Sequence, residues 1–212
     1  MSRGRFITFE GGEGAGKSTQ ARRLAERLKA RGETVVLTRE PGGSPGAEAL
    51  RTLLVEGAAD RWSATAETLL MYAARSDHLD RTIRPALAAG AWVVCDRFLD
   101  STRAYQGAGG GVSAALIEQL ERSVVGGDRP DLTLVFDIEV EEGLRRAKAR
   151  AGSEGRFESK GEGFHRQLRD GFRRIAEQEP ARCVLIDAAP GPDEVAEAVW
   201  AGVTRHFGLG RA

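Results

Sequence analysis

The chain predicts an α/β fold: one domain built on a five-stranded parallel sheet flanked by helices on both faces. Short apolar runs rich in β-branched residues alternate with longer stretches of helical periodicity. The runs are nearly continuous in apolar character, as strands buried on both sides are. A length of 212 residues with 41% hydrophobic content supplies one substantial core and leaves no room for two large domains.

The strands are expected at Phe6–Glu10, Thr34–Arg39, Ala91–Asp96, Leu132–Asp137 and Arg182–Asp187. A helix from Lys17 to Arg31 is closed by Gly32, and a helical stretch from Pro45 to Ala89 is broken near Gly57. Further helices are expected near Val112–Val125, Val140–Arg150, Glu162–Glu179 and Pro192–Phe207. The segment Ala151–Gly163, AGSEGRFESKGEG, is rich in glycine and charge and lacks a core face. Its place after the fourth strand favours a mobile lid over residues 150–163 rather than a plain solvated connection. Gly208–Ala212 reads as a frayed tail.

Composition excludes several function classes. Lys+Arg and Asp+Glu are both 31, so the formal net charge is +0 and the footprint of a nucleic-acid binder is missing. The start of the chain leaves no room for a signal peptide, and no apolar run reaches membrane-spanning length, so a cytoplasmic protein without a membrane partner is expected. Cys95 and Cys183 lie within apolar strand runs and read as small buried hydrophobes, not as a disulfide or metal ligands. His78, His165 and His206 have no ligand spacing and read as solvated or partly buried residues. Asparagine is absent, which removes the guanine reader of GTPases and any N-glycosylation acceptor.

The chemistry begins at Gly11, Gly12, Glu13, Gly14, Ala15, Gly16, Lys17 and Ser18, which spell G-x-x-x-x-G-K-S between a strand and a helix. Glycines let successive backbone N–H groups turn onto phosphate oxygens, and the positive end of the helix dipole faces the same anion. Lys17 adds a full charge, and Ser18 offers a hydroxyl to Mg2+. The pattern defines a P-loop NTPase fold with ATP as co-substrate. At the end of the third strand, Asp96 arrives at the sheet edge where α/β ligands bind and is the expected second contact to the Mg2+ shell. An acceptor hydroxyl needs a general base, whereas an acceptor phosphate is already an oxyanion and needs cations to hold it. Arg39, Arg51, Arg75 and Arg97, at or beyond strand ends or on the long helical stretch, supply them.

Further motifs occur along the chain: F-E-G-x-E-G-x-G-K-S, T-R-E-P-G-G from Thr38 to Gly43, Y-A-A-R from Tyr72 to Arg75, and D-R-F followed by S-T-x-A-Y-Q-G from Ser101 to Gly107. P-D-L-T from Pro130 to Thr133 and R-F-E from Arg156 to Glu158 complete the series. In these motifs, their order and their approximate spacing, the chain resembles the bacterial thymidylate kinases over nearly its whole length. The resemblance implies transfer of the γ-phosphoryl of ATP to dTMP, giving dTDP and ADP in dTTP synthesis, by a homodimer. It implies that Glu13 accepts from the deoxyribose 3'-hydroxyl and that Arg97 grips the dTMP phosphate, with Arg39, Glu40, Pro41 and Arg51 shaping the same wall. Arg75 would read the thymine carbonyl edge, Thr102 and Gln106 would complete base recognition, and Tyr105 would pack beneath the sugar. The loop itself carries no arginine, so the resemblance places the catalytic arginine in the lid, with Arg156 first and Arg150 second, beside Lys17 and Arg97.

One position departs from the pattern. The family's usual phenylalanine, four residues before the base-reading arginine, is Met71 here, which exchanges ring stacking for a thioether contact. Two other readings share the loop: a deoxynucleoside kinase acting on thymidine, with Glu13 or Glu40 as base, and a nucleotide-binding switch that phosphorylates no metabolite. The first leaves the surplus of arginines unexplained and the second leaves the lid arginines idle.

Overall fold

The computed structural model describes residues 3–58, 60–149 and 160–210. Its strands are β1 (Arg5–Gly11), β2 (Val35–Arg39), β3 (Trp92–Asp96), β4 (Leu132–Asp137) and β5 (Cys183–Asp187). They pair in parallel in the order β2-β3-β1-β4-β5. The expected strands agree to within one residue at each end, the margin by which such boundaries fray. β1 lies between β3 and β4, so the chain turns away on opposite sides of it, and the crevice at its C-terminal end is where ligands of open α/β sheets bind.

Side chains alternate across the sheet. Ile7 and Phe9 face α1 (Lys17–Ala30) and α9 (Pro192–Phe207), which bring Leu24, Leu28, Val199 and Val203 into one core layer. Phe6 joins the other layer, with Leu79, Ile83, Val93, Cys95 and Phe98. The stretch read as one broken helix consists of α2 (Pro45–Val55), α3 (Ala64–His78), a π-helical turn (Leu79–Ile83) and α4 (Arg84–Ala88). Ser44 and Ser63 cap α2 and α3, their hydroxyls accepting from Ala47 and Ala66 N–H. The remaining helices include α6 (Ala114–Val124), α7 (Val140–Lys148) and α8 (Glu162–Gln178).

One helical segment has no counterpart in the sequence reading: α5 (Leu99–Thr102), which runs into a π-helical turn at Arg103–Ala108. Apolar periodicity could not reveal it, because much of what holds it is ionic. Asp100 is buried beneath the sheet and accepts two hydrogen bonds from Arg182, at 2.8 and 2.9 Å, while the same guanidinium reaches Thr133 at 2.7 Å. Arg103 in turn bridges Glu121 and Glu179.

Two expectations are corrected. His78 and His165 are wholly buried, His78 because Glu40 and Thr38 lie within hydrogen-bond distance of its two ring nitrogens. The tail is not frayed at its start: Gly208 takes the left-handed conformation that ends α9, and Leu209 packs on the core. The lid assigned to residues 150–163 falls outside the described residues up to 159. Both cysteines are buried and free, as expected.

Candidate active site

The loop joining β1 to α1 has positive φ at Gly11, Gly14 and Gly16. Gly14 is there for a second reason: a Cβ at that position would stand 1.9 Å from the Gly143 carbonyl oxygen, and one at Gly143 would stand 2.6 Å from that of Glu13. Paired glycines thus let the loop lie against α7. Gly16, left-handed and without a side-chain cap, opens α1 so that its first amides face the loop. Lys17 is buried and donates to the Gly12 carbonyl at 2.5 Å. Burial and then the Arg97 charge push its ammonium down to about 8.

The Ser18 hydroxyl donates to Asp96, which ends β3 beside Phe9 of β1. One hydroxyl and one carboxylate converging at a phosphate loop are the hard oxygen donors that Mg2+ takes from a protein when nucleotide oxygens and water fill the rest of its shell. Among the described residues no group of three or more His, Cys, Asp or Glu side chains could hold a metal by itself.

Arg97 lies on the other wall. Its backbone is left-handed, at φ 68°, the only described non-glycine residue so placed. Its Nη1 donates to Gly11 O at 3.0 Å and Ser101 at 3.2 Å, and its Nη2 donates to Glu13 at 3.1 Å. Tyr105 donates to the same Glu13 oxygen at 2.5 Å, and its ring lies 4.9 Å beneath the Arg97 guanidinium. Burial favours neutral Glu13, but Arg97, Lys17 and the Tyr105 hydroxyl outweigh it and hold the carboxyl down at about 2. Beneath them, Glu10 accepts from Phe98 N–H and the Ser101 hydroxyl, and burial and Asp100 push its carboxyl up to about 7.

Arg51 donates to Pro41 O at 2.6 Å, next to a cis Glu40–Pro41 bond. Burial, Arg39 and Arg97 push its guanidinium below the ordinary value, so three positive charges crowd one end of the cleft. Arg39 is exposed and paired with Glu48. Glu40 stands behind this wall, bound to Arg75 at 2.8 Å and His78 at 3.1 Å. Arg75 is 2% exposed; it also donates to Phe98 O and Thr102 at 3.0 Å, while its Nη1 has no hydrogen-bond partner. Gln106 donates to Glu67 at 2.8 Å. Met71, half-buried, packs on the cluster of Tyr105, Leu168 and Phe172.

The structure brings Gly11, Glu13, Arg97 and Tyr105 into contact beside the Ser18–Asp96 pair, and Glu40, Arg75 and Thr102 into a second hydrogen-bonded group, while Arg150 and Arg156 lie outside the described residues. Sequence reasoning missed Glu10, Glu67 and Asp100. A buried carboxylate is legible only once its partner is known, although Glu10 stood inside the quoted F-E-G.

A phosphate cradle facing a second wall of guanidinium groups, with a hydroxyl–carboxylate pair between them, defines a phosphotransferase that brings two anions together. Comparison with known proteins agrees. The family model described as thymidylate kinase matches residues 9–199. A thymidylate kinase of Caulobacter vibrioides is 63% identical over 209 residues, covering 99% of this chain and all of the relative. One from Rhodopseudomonas palustris is 60% identical, covering 95% of this chain and 89% of the relative. The crystal structure of thymidylate kinase from Ehrlichia chaffeensis superposes with a TM-score of 0.76 at 36% identity, covering 95% and 99% of the two chains. The chain belongs to the thymidylate kinase family.

Proposed function

We propose that the chain transfers the γ-phosphoryl group of ATP to dTMP, giving dTDP and ADP. The observation that carries this reading is Arg97, whose guanidinium joins the phosphate loop at Gly11 to the acceptor wall at Glu13 and Tyr105. The loop amides and Lys17 hold the donor phosphates. Arg97, with Arg51 and Arg39 beside it, holds the acceptor phosphate, whose oxygen is already the nucleophile. Glu13, kept ionised, accepts from the sugar 3'-hydroxyl, and Tyr105 fills the space beneath the sugar. Arg75 donates to the thymine carbonyl edge through its unpartnered Nη1, and Thr102 and Gln106 complete that wall. Ser18 and Asp96 would hold Mg2+, which when bound neutralises charge on the β- and γ-phosphate oxygens. Arg156, with Arg150 second, serves the transferred group from the lid.

A cytoplasmic homodimer fits this reading. Leu53 on α2 and Leu69 on α3 are exposed apolar side chains that a second copy would cover. The deciding experiment is ADP release with ATP and Mg2+ against dTMP, dUMP, thymidine, CMP and AMP. Turnover of dTMP is expected; activity with thymidine alone, or with none of the five, overturns the reading.

Met71 tests the base pocket separately. An aromatic ring in its place should lower KM for dTMP about fivefold, the equivalent of roughly 1 kcal/mol of stacking. Titration of dTMP against Met71→Phe at saturating ATP measures this, and an unchanged or higher KM shows that position 71 does not face the base.

A further inference from the structure

The base-reading wall contains two side chains whose polarity is imposed from behind by carboxylates. Glu40 engages Arg75 Nε, while Phe98 O and Thr102 occupy Nη2, so the guanidinium is turned to leave Nη1 as a donor with no partner. Gln106 is the second. A primary amide can present either its NH2 or its oxygen, and an isolated Gln106 would therefore read thymine and cytosine edges alike. Here its Nε2 is committed to Glu67 at 2.8 Å. Both residues are nearly enclosed, at 2% and 5% exposure, so water does not compete freely for the bond. The bond turns the amide's NH2 toward Glu67 and so leaves its oxygen, on the other side, as the acceptor.

Glu67, Arg75 and Gln106 converge through the α3 helix and the α5 segment with the turn that follows it. Glu67, Met71 and Arg75 follow one another at intervals of four along α3, and Thr102, which accepts from Arg75, lies four residues before Gln106. With a base seated against it, the wall would oppose it with one donor, the enclosed and unpartnered Arg75 Nη1, and one acceptor, the Gln106 oxygen. Thymine presents the complement, a carbonyl beside an N3–H, whereas cytosine presents an exocyclic NH2 beside an unprotonated N3 and meets donor with donor and acceptor with acceptor.

We infer that Glu67 is a specificity-determining positioning residue: by holding the Gln106 amide in one orientation it makes the pocket select thymine-type over cytosine-type nucleoside monophosphates. The inference rests on the dTMP reading of the site. A buried polar group left facing the wrong partner costs more than a missing contact does, so fixing the amide discriminates chiefly by rejection.

The test replaces Glu67 by glutamine, whose own amide offers either group to Gln106 and frees it to turn. Values of kcat/KM for dTMP, dUMP and dCMP are compared in wild type and Glu67→Gln. Wild-type turnover of dTMP is measured first, so that failure of the dTMP reading is seen independently. The variant should narrow the dTMP-to-dCMP ratio by about tenfold or more. The loss for dTMP should fall on KM with kcat nearly kept, and dUMP should follow dTMP because the two share the edge being read. General damage to the pocket would lower all three substrates together, and an unchanged ratio overturns the inference. In a Gln106→Met background the Glu67→Gln change should no longer move the ratio; an undiminished effect there also overturns it. Should Glu67→Gln not yield folded protein, Glu67→Met combined with Gln106→Leu removes both ends of the buried bond. That pair should narrow the ratio likewise, and a wild-type ratio in it refutes the role.

Discussion

Arg97→Ala is expected to lower kcat/KM for dTMP by about a thousandfold or more, the range seen when a charge-stabilising arginine is removed from phosphoryl transfer. Three features combine in that loss. The guanidinium is planar and largely enclosed, at 18% exposure, so its remaining N–H groups can fork onto a phosphate in a setting where water screens less than in bulk. It also neutralises Glu13; without it, burial would push that carboxyl upward and weaken its hold on the sugar hydroxyl. Its left-handed backbone is a conformation that costs about 1–3 kcal/mol in a non-glycine residue and persists where surrounding structure enforces it. Here β3 ends at Asp96, the Arg97 N–H is tied to Phe9 O at 2.9 Å, and Glu10 holds Phe98 N–H. The chain is thereby forced to aim position 97 back across the loop. Lysine keeps the charge but not the fork, so Arg97→Lys should fall between wild type and alanine. Steady-state kinetics with dTMP varied at saturating ATP, beside a thermal melt, separate catalysis from folding. A folded Arg97→Ala enzyme retaining more than a tenth of wild-type kcat/KM would remove Arg97 from the acceptor site.

Why so much of the site was readable, and why the rest was not, follows from what each residue needs. The phosphate loop needs glycines at left-handed positions and a lysine at fixed spacing, requirements local to eight residues, Gly11–Ser18. The five parallel strands are buried on both sides, so their apolar runs stand out in sequence. α5 and the turn after it are different. Asp100 finds Arg182 at a separation of 82 residues, and Glu10 finds Ser101 at 91, distances over which no periodicity carries information. The same holds for the support behind the base wall: Glu67 looked like an ordinary charge on a helix and Glu40 like part of the phosphate wall, and only the folded chain shows that they hold Gln106 and Arg75. Residues proposed to meet a ligand belonged to motifs, whereas most of those that hold that group in place had to be found in three dimensions.

Lys17→Met carries the other large effect: kcat should fall about a thousandfold, in line with the loss of a preorganised charge aimed at a transferred phosphoryl group. The same variant has an opposite effect on stability, and the two together identify the role. Burial and Arg97 depress the Lys17 ammonium from its ordinary 10.5 to about 8. Between these values the unfolded chain holds a proton that the folded chain has released, so stability contributed by this group rises with pH across that window. Below about 8 the full cost of a buried, poorly compensated charge is present, on the order of 3 kcal/mol for a shift of this size. Lys17→Met should therefore melt higher than wild type at pH 7, and its advantage should fade as pH rises toward 10. A bound triphosphate supplies the missing counter-charge and lifts the ammonium back up. Nucleotide binding to wild type should accordingly take up close to one proton between pH 8.5 and 9, with this component vanishing below about pH 7 where Lys17 is already charged. Calorimetric titration of ATP in two buffers of different ionisation enthalpy reads that proton directly. Lys17→Met should abolish this alkaline uptake. An alkaline uptake that survives in Lys17→Met would mean that another group answers the phosphates, and that the buried ammonium is not the charge the loop was built to deliver.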